Sequence, residues 1–282
     1  MEAHRRLDPE GYIVPEADLA NVQPEYRGLP EAAADLLVRE LGPRLHSGYL
    51  YGSVVRGNAV PGRSDLDLVA VLWTPIEATD RLAASHVERG LVARFPVLPT
   101  AGVALTHLEE VRSPRQRYGL GVFLRDLSVC VCGEDLRPGL PRTRPSAAVA
   151  AAFNEDTPAV LARARETLHT RPDPEAVRRA CRIASKRMVQ AGFAVVMARD
   201  GVWATVLEEQ AAAVGAAFPE WATAARQAAE QGRRPAADPD AVAELLTASA
   251  AGWRRRSGGC RRSRDQFESL ARPLGCAAVP AT

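Results

Sequence analysis

Residues 49–73, YLYGSVVRGNAVPGRSDLDLVAVLW, constrain the fold of this chain more than any other segment. Tyr49-Leu50-Tyr51 is a short apolar run that stops at Gly52-Ser53. Gly57 follows, so the segment reads as a strand running into a glycine turn. The polar turn Val60-Pro61-Gly62-Arg63-Ser64 then leads to Asp65-Leu66-Asp67 and the apolar run Leu68-Val69-Ala70-Val71-Leu72. Asp65 and Asp67 stand two apart at the start of a strand, which puts both carboxylates on one face, about 6–7 Å apart along the backbone. Two acids facing one way beside a core strand are costly unless a cation pairs with them. Mg²⁺ suits that place, because it takes one or two carboxylates together with phosphate oxygens. Gly52 lets backbone approach a phosphate closely. Ser53 offers a hydroxyl and an N–H at the start of an expected helix, where the dipole favours an anion.

Beyond that segment the chain reads as two regions. Residues 1–28 carry Pro, Gly and charge without a period and are expected as an arm. The spacing of Ala33, Leu36, Leu37, Val38 and Leu41 predicts a helix from Pro30 to the stop at Gly42-Pro43. A second helix is expected over 77–95, a strand over 97–105, a short helix over 114–124 and a strand over 127–131 that ends at Gly133. Residues 29–140 thus form a mixed α/β module. The composition shifts near Pro141. Residues 141–256 are Ala-rich, with helices expected at about 145–169, 174–199, 203–216, 219–231 and 239–254, and Asp173-Pro174 and Asp238-Pro239 as helix starts. Residues 257–282 read as a basic, partly disordered tail. The fold class expected is α+β, with an all-α second half.

Composition narrows the function classes. A net charge of +2 argues against nucleic acid as a bulk partner. No apolar run is long enough to span a membrane, and the N-terminal residues lack the apolar core of a secretory signal, so a cytoplasmic location is expected. Cysteines at 130, 132, 181, 260 and 276 show neither a disulfide framework nor zinc spacing. Alternation along a strand would point Cys130 and Cys132 to one face, as packing residues. Lys186 is the only lysine among 36 basic residues, which fits a place needing a compact point charge. It shares a helical face with Arg179 and Arg182. The other face, with Ala180, Ile183, Ala184, Met188, Ala191 and Val195, is expected as core. Arg163 and His169 form a spacing that also arises by chance.

G-S-x-x-x-G followed by S-D-L-D and an apolar strand resembles the nucleotidyltransferase signature of the DNA polymerase beta superfamily. Within it, the chain is similar to bacterial enzymes related to kanamycin nucleotidyltransferase and streptomycin/spectinomycin adenylyltransferase. A weaker likeness extends to Gly133-Glu134-Asp135-Leu136. The resemblance implies an N-terminal nucleotidyltransferase fold and a helical C-terminal domain. It also implies Mg²⁺-dependent transfer of a nucleoside monophosphate from a triphosphate, with ATP expected, to a hydroxyl of a small molecule. On that resemblance Gly52, Ser53, Arg56, Ser64 and Lys186 contact the triphosphate, and Asp65 and Asp67 are catalytic metal ligands. A homodimer is a family-level expectation.

The family usually adds a third carboxylate from a later strand. Here the pattern places it near Val103 or Ala104, where there is no acid. Glu109, Glu110, Asp126, His107 or a partner subunit remain as sources, with Glu109 taken as the catalytic candidate. Two alternatives stay open: a catalytically silent nucleotide-binding relative, and a protein-modifying nucleotidyltransferase of antitoxin type.

Overall fold

The structure is a computed structural model; it describes residues 6–170 and 173–236. The described residues divide into two compact units, one over 6–144 and the other over 145–236.

The first unit is built on a four-stranded mixed sheet of order β3-β2-β1-β4, with β1 at Leu45–Tyr51, β2 at Leu66–Leu72, β3 at Ala101–His107 and β4 at Ser128–Gly133. β1 runs antiparallel to β2 and β4, whereas β2 and β3 are parallel. Antiparallel pairing lets the short connector 52–65 join β1 to β2, while the parallel pair needs a helical crossover. That crossover is α2, Ala78–Arg94, started by a reciprocal capping box between Glu77 and Asp80. α1, Leu29–Leu41, ends at Gly42. α1 and α2 cover one sheet face, where Leu66, Leu68, Ala70 and Leu72 of β2 meet Leu36, Leu37, Val87 and Leu91. Tyr49, Val69 and Val71 point to the other face, against Leu108 and Val111 of α3 (Leu108–Arg112) and Leu124 of α4 (Val122–Leu127).

Residues 6–28, read from the sequence as an arm, are packed. Ala17 and Tyr26 belong to the core beneath α1. The Ile13 N–H donates to the Thr143 carbonyl at 3.0 Å, and the guanidiniums of Arg142 and Arg144 lie over the Tyr12 ring. The segment has no helical or strand period because it is irregular, and periodicity detects only regular elements.

Cys130 and Cys132 also depart from expectation. β4 pairs Cys132 with Gly48 and Cys130 with Tyr49, so Val131 is an extra residue in the ladder. That bulge breaks the alternation. Cys130 packs on the α3–α4 face and Cys132 on the α1–α2 face. Burial pushes both thiols up, Cys130 to about 11, so both stay protonated and are poor metal ligands.

The second unit is all helical among its described residues. The helix expected over 145–169 is two, α5 at Ala147–Phe153 and α6 at Thr157–Thr170. Pro158 has no N–H to give Asn154 and disfavours a helical Thr157, so the helix breaks there. Asn154 closes α5 by donating from Nδ2 to the Ala150 carbonyl. α7, Pro174–Asp200, starts as expected: Asp173 accepts from the Glu175 and Ala176 N–H groups. It packs against α5, α6, α8 (Leu207–Ala217) and α9 (Ala222–Arg233). Ala180, Cys181 and Ala184 are core, but Ile183 is exposed because it lies on the far side of that buried stripe. The helix expected at 239–254 and the tail at 257–282 lie outside the described residues. No described helix is long and apolar enough to cross a membrane.

Candidate metal–phosphate site

The site is built where β1 ends and β2 begins. Register sets it: Tyr51 pairs with Asp67, Asp67 pairs with Gly102, and Tyr51 pairs with Ser128. One row across the sheet therefore reads Gly102, Asp67, Tyr51, Ser128, with all four on the α3–α4 face. Asp65 lies just before β2, and Thr100 Oγ1 donates to its Oδ1 at 2.7 Å. Asp65 is exposed and Asp67 half-buried.

The turn after β1 presses against this row. Gly52 has φ +86, and a Cβ there would come within 2.8 Å of Asp67 Oδ2. Glycine is required twice, by the backbone conformation and by the carboxylate beside it. The sequence reading expected Ser53 to open a helix. Instead residues 53–57 form a compact turn, in which Gly57 N–H donates to the Val54 carbonyl and Asn58 N–H to the Ser53 carbonyl. Val54 and Val55 turn inward and are fully buried, which ties the loop to the core and prevents a longer helix.

The N-terminal segment clamps the same turn. Asp18 N–H donates to the Val55 carbonyl at 3.0 Å, and Glu16 N–H donates to the Asp126 carbonyl at 3.2 Å. Asp126 is 1% exposed, and neither of its carboxyl oxygens has a hydrogen-bond partner. Burial raises its pKa to about 7 against the opposing pull of Arg125. Tyr51 is pushed well above the usual phenol range, first by burial and then by the Asp67 carboxylate. Its ring meets Phe123 edge-on at 4.8 Å, an aromatic wall beside Asp67.

Ser64 Oγ accepts from the Val60 N–H and closes the connector turn. Arg56 is half-buried in the glycine turn. Val103 cannot mark the third-acid position, because it packs toward the α1–α2 core. Alternation makes Gly102 and Ala104 the β3 residues on the Asp67 face. Glu110 accepts from Thr106 Oγ1 at 2.8 Å, and Thr106 lies about 13 Å along β3 from Gly102. Glu109 is exposed beyond it, and His107 ends the strand on the opposite face. The strand thus separates these groups from the aspartates instead of uniting them with the pair. Lys186 belongs to the second unit; it is exposed with Arg179 and Arg182, and its stem lies against Gly232 of α9. Thr100 and the Tyr51–Phe123 wall were missed by the sequence reading. Only register reveals Thr100, while the aromatic at 51 directly before Gly52 was a usable signal.

Among the described residues no three His, Cys, Asp or Glu side chains converge on one point. Two oxygen ligands beside a glycine that admits close approach fit Mg²⁺, which keeps waters and phosphate oxygens for its other positions. They suit a softer metal less, since among the described residues no His or Cys joins them in a metal-holding group.

No family model and no curated protein matches the chain. One solved structure that aligns with it is the spectinomycin adenyltransferase AAD(9) from Enterococcus faecialis with ATP and spectinomycin. The alignment has 13% identity and a TM-score of 0.45, and covers 76% of this chain and 95% of that one. A likeness of that degree assigns neither family nor activity.

Proposed function

We propose that the first unit binds a nucleoside triphosphate with Mg²⁺ and transfers its nucleoside monophosphate to a hydroxyl of a small molecule. The observation that carries this reading is the contact between the glycine turn and Asp67, with room for no Cβ between them. Phosphate donors and a metal-binding acid are thereby within one ligand's reach. Backbone N–H groups of the turn hold phosphate oxygens, and the buried Val54 and Val55 fix the turn against the core. Asp65 and Asp67 hold the cation from the start of β2. Bound there, Mg²⁺ supplies the charge neutralisation that phosphoryl-type transfer depends on.

In the transfer, the acceptor oxygen bonds to the α-phosphorus as the bond to the bridging oxygen breaks. Pyrophosphate leaves with that electron pair, and the hydroxyl proton is released to solvent. The Tyr51–Phe123 wall keeps water from one side of Asp67 and strengthens its hold on a cation. An ATP nucleotide and a small cationic acceptor of aminoglycoside type follow the sequence resemblance.

Incubation with Mg²⁺ and a panel of triphosphates and acceptors tests the reading through pyrophosphate release. Asp65→Asn or Asp67→Asn should lower release by 100-fold or more, roughly the effect of removing one preorganised electrostatic group. Full activity in the double variant would sink the proposal. A second reading, nucleotide binding without turnover, is favoured by Gly102, which leaves the β3 position facing Asp67 without a carboxylate. Triphosphate binding with no pyrophosphate from any acceptor would select it.

A further inference from the structure

We propose that Thr100 is a positioning residue for Asp65, setting which carboxylate oxygen faces the metal. This rests on the reading above that Asp65 and Asp67 hold a divalent cation. Asp65 precedes the first residue of β2 and is exposed, so its side chain would be free to sample several rotamers. A carboxylate in that state pays an ordering cost whenever it binds a cation. Thr100 removes part of that freedom. Its Oγ1 donates to Asp65 Oδ1 at 2.7 Å, which engages one carboxylate oxygen and leaves the other, Oδ2, as the oxygen proposed to take the cation.

The donor is itself fixed. The Thr100 carbonyl accepts from the Leu66 N–H at 3.1 Å, and the next residues pair in register, Leu66 with Ala101 and Asp67 with Gly102. A β-branched side chain on a pinned backbone has few χ1 choices. β3 thus treats the two acids differently. It gives Asp65 a hydroxyl donor from position 100 and gives Asp67 no side chain from position 102, where a Cβ would meet nothing within 4 Å. One carboxylate is held by a β3 side chain, and the space beside Gly102 is empty.

Both partners are exposed, so the bond contributes little to folding, and its loss separates orientation from stability. The test is Mn²⁺ binding to the full chain with a non-hydrolysable ATP analogue, followed by the paramagnetic resonance of free Mn²⁺. Melting temperature is measured alongside. Thr100→Val keeps the shape and removes the hydroxyl; Thr100→Ser keeps the hydroxyl. The expected result is about tenfold weaker Mn²⁺ binding in Thr100→Val, as for the loss of an outer-shell partner, with near wild-type binding in Thr100→Ser and no shift in melting temperature for either. Wild-type binding in Thr100→Val overturns the proposal while leaving the metal reading intact. Equal loss in both variants also overturns it, since the methyl or backbone would then be responsible. No Mn²⁺ binding by the wild type overturns both the metal reading and this inference.

Discussion

At residue 52 a missing methyl group decides whether turn and carboxylate can touch. Gly52→Ala must place a Cβ against Asp67 Oδ2 from a backbone at φ +86. The expected cost is about 1–3 kcal/mol of stability, the scale of a strained non-glycine conformer, with Mn²⁺–triphosphate binding lost even where the variant remains folded. Urea unfolding and Mn²⁺ titration of the same sample measure the two effects. Asp126 shows a different economy at this scale. Its carboxyl is fully buried and titrates at about 7, against roughly 3.9 in an unfolded chain. Between about pH 4 and 7 the folded chain therefore holds a proton that the unfolded chain has released. Stability falls as pH rises through that window, by roughly 4 kcal/mol in all, and levels off above it. Asp126→Asn should abolish the fall and be more stable than wild type at pH 8. Equal slopes for the two proteins in urea unfolding at pH 5 and pH 8 would refute this account.

Among the elements, β3 determines the character of the site more than its composition suggests. Its sequence, AGVALTH, reads as an unremarkable strand, and the acid-free run near Val103 and Ala104 was legible as such. What the strand presents to Asp67 was not legible, because that depends on pairing with β2. Parallel register makes Gly102 the neighbour, and the space beside its Cα is open. Gly102→Glu should therefore fold at least as well as wild type, since glycine in a strand interior is entropically poor. The new carboxylate should tighten Mn²⁺ binding several-fold and raise pyrophosphate release with any acceptor that is turned over. Unchanged binding in a folded variant would show that position 102 does not face the metal. The bulge in β4 teaches the same lesson from the opposite edge: one extra residue sent Cys130 and Cys132 to different faces, although their spacing alone put them on one.

At the scale of the molecule, local signals were enough to place β1, β2, α1, α2 and α7, and to put Gly52, Asp65 and Asp67 at neighbouring strand ends. Alternation, helical spacing and turn chemistry act over a few residues, so they survive in a linear string. The order in which strands lie side by side does not survive, because it is fixed by hydrogen bonds between segments far apart in the chain. That order gave Asp65 its Thr100 donor, put Asp67 opposite Tyr51 and Gly102, and sent Glu109 and Glu110 down the strand from the pair. It also folded residues 6–28 into the first unit through contacts with Thr143, Arg142 and Arg144. The sequence by itself thus determined the class of fold and set two acids at the start of one strand. Only the tertiary structure decided which groups stand beside those acids, since burial and register are properties of packed elements and not of the residues that compose them.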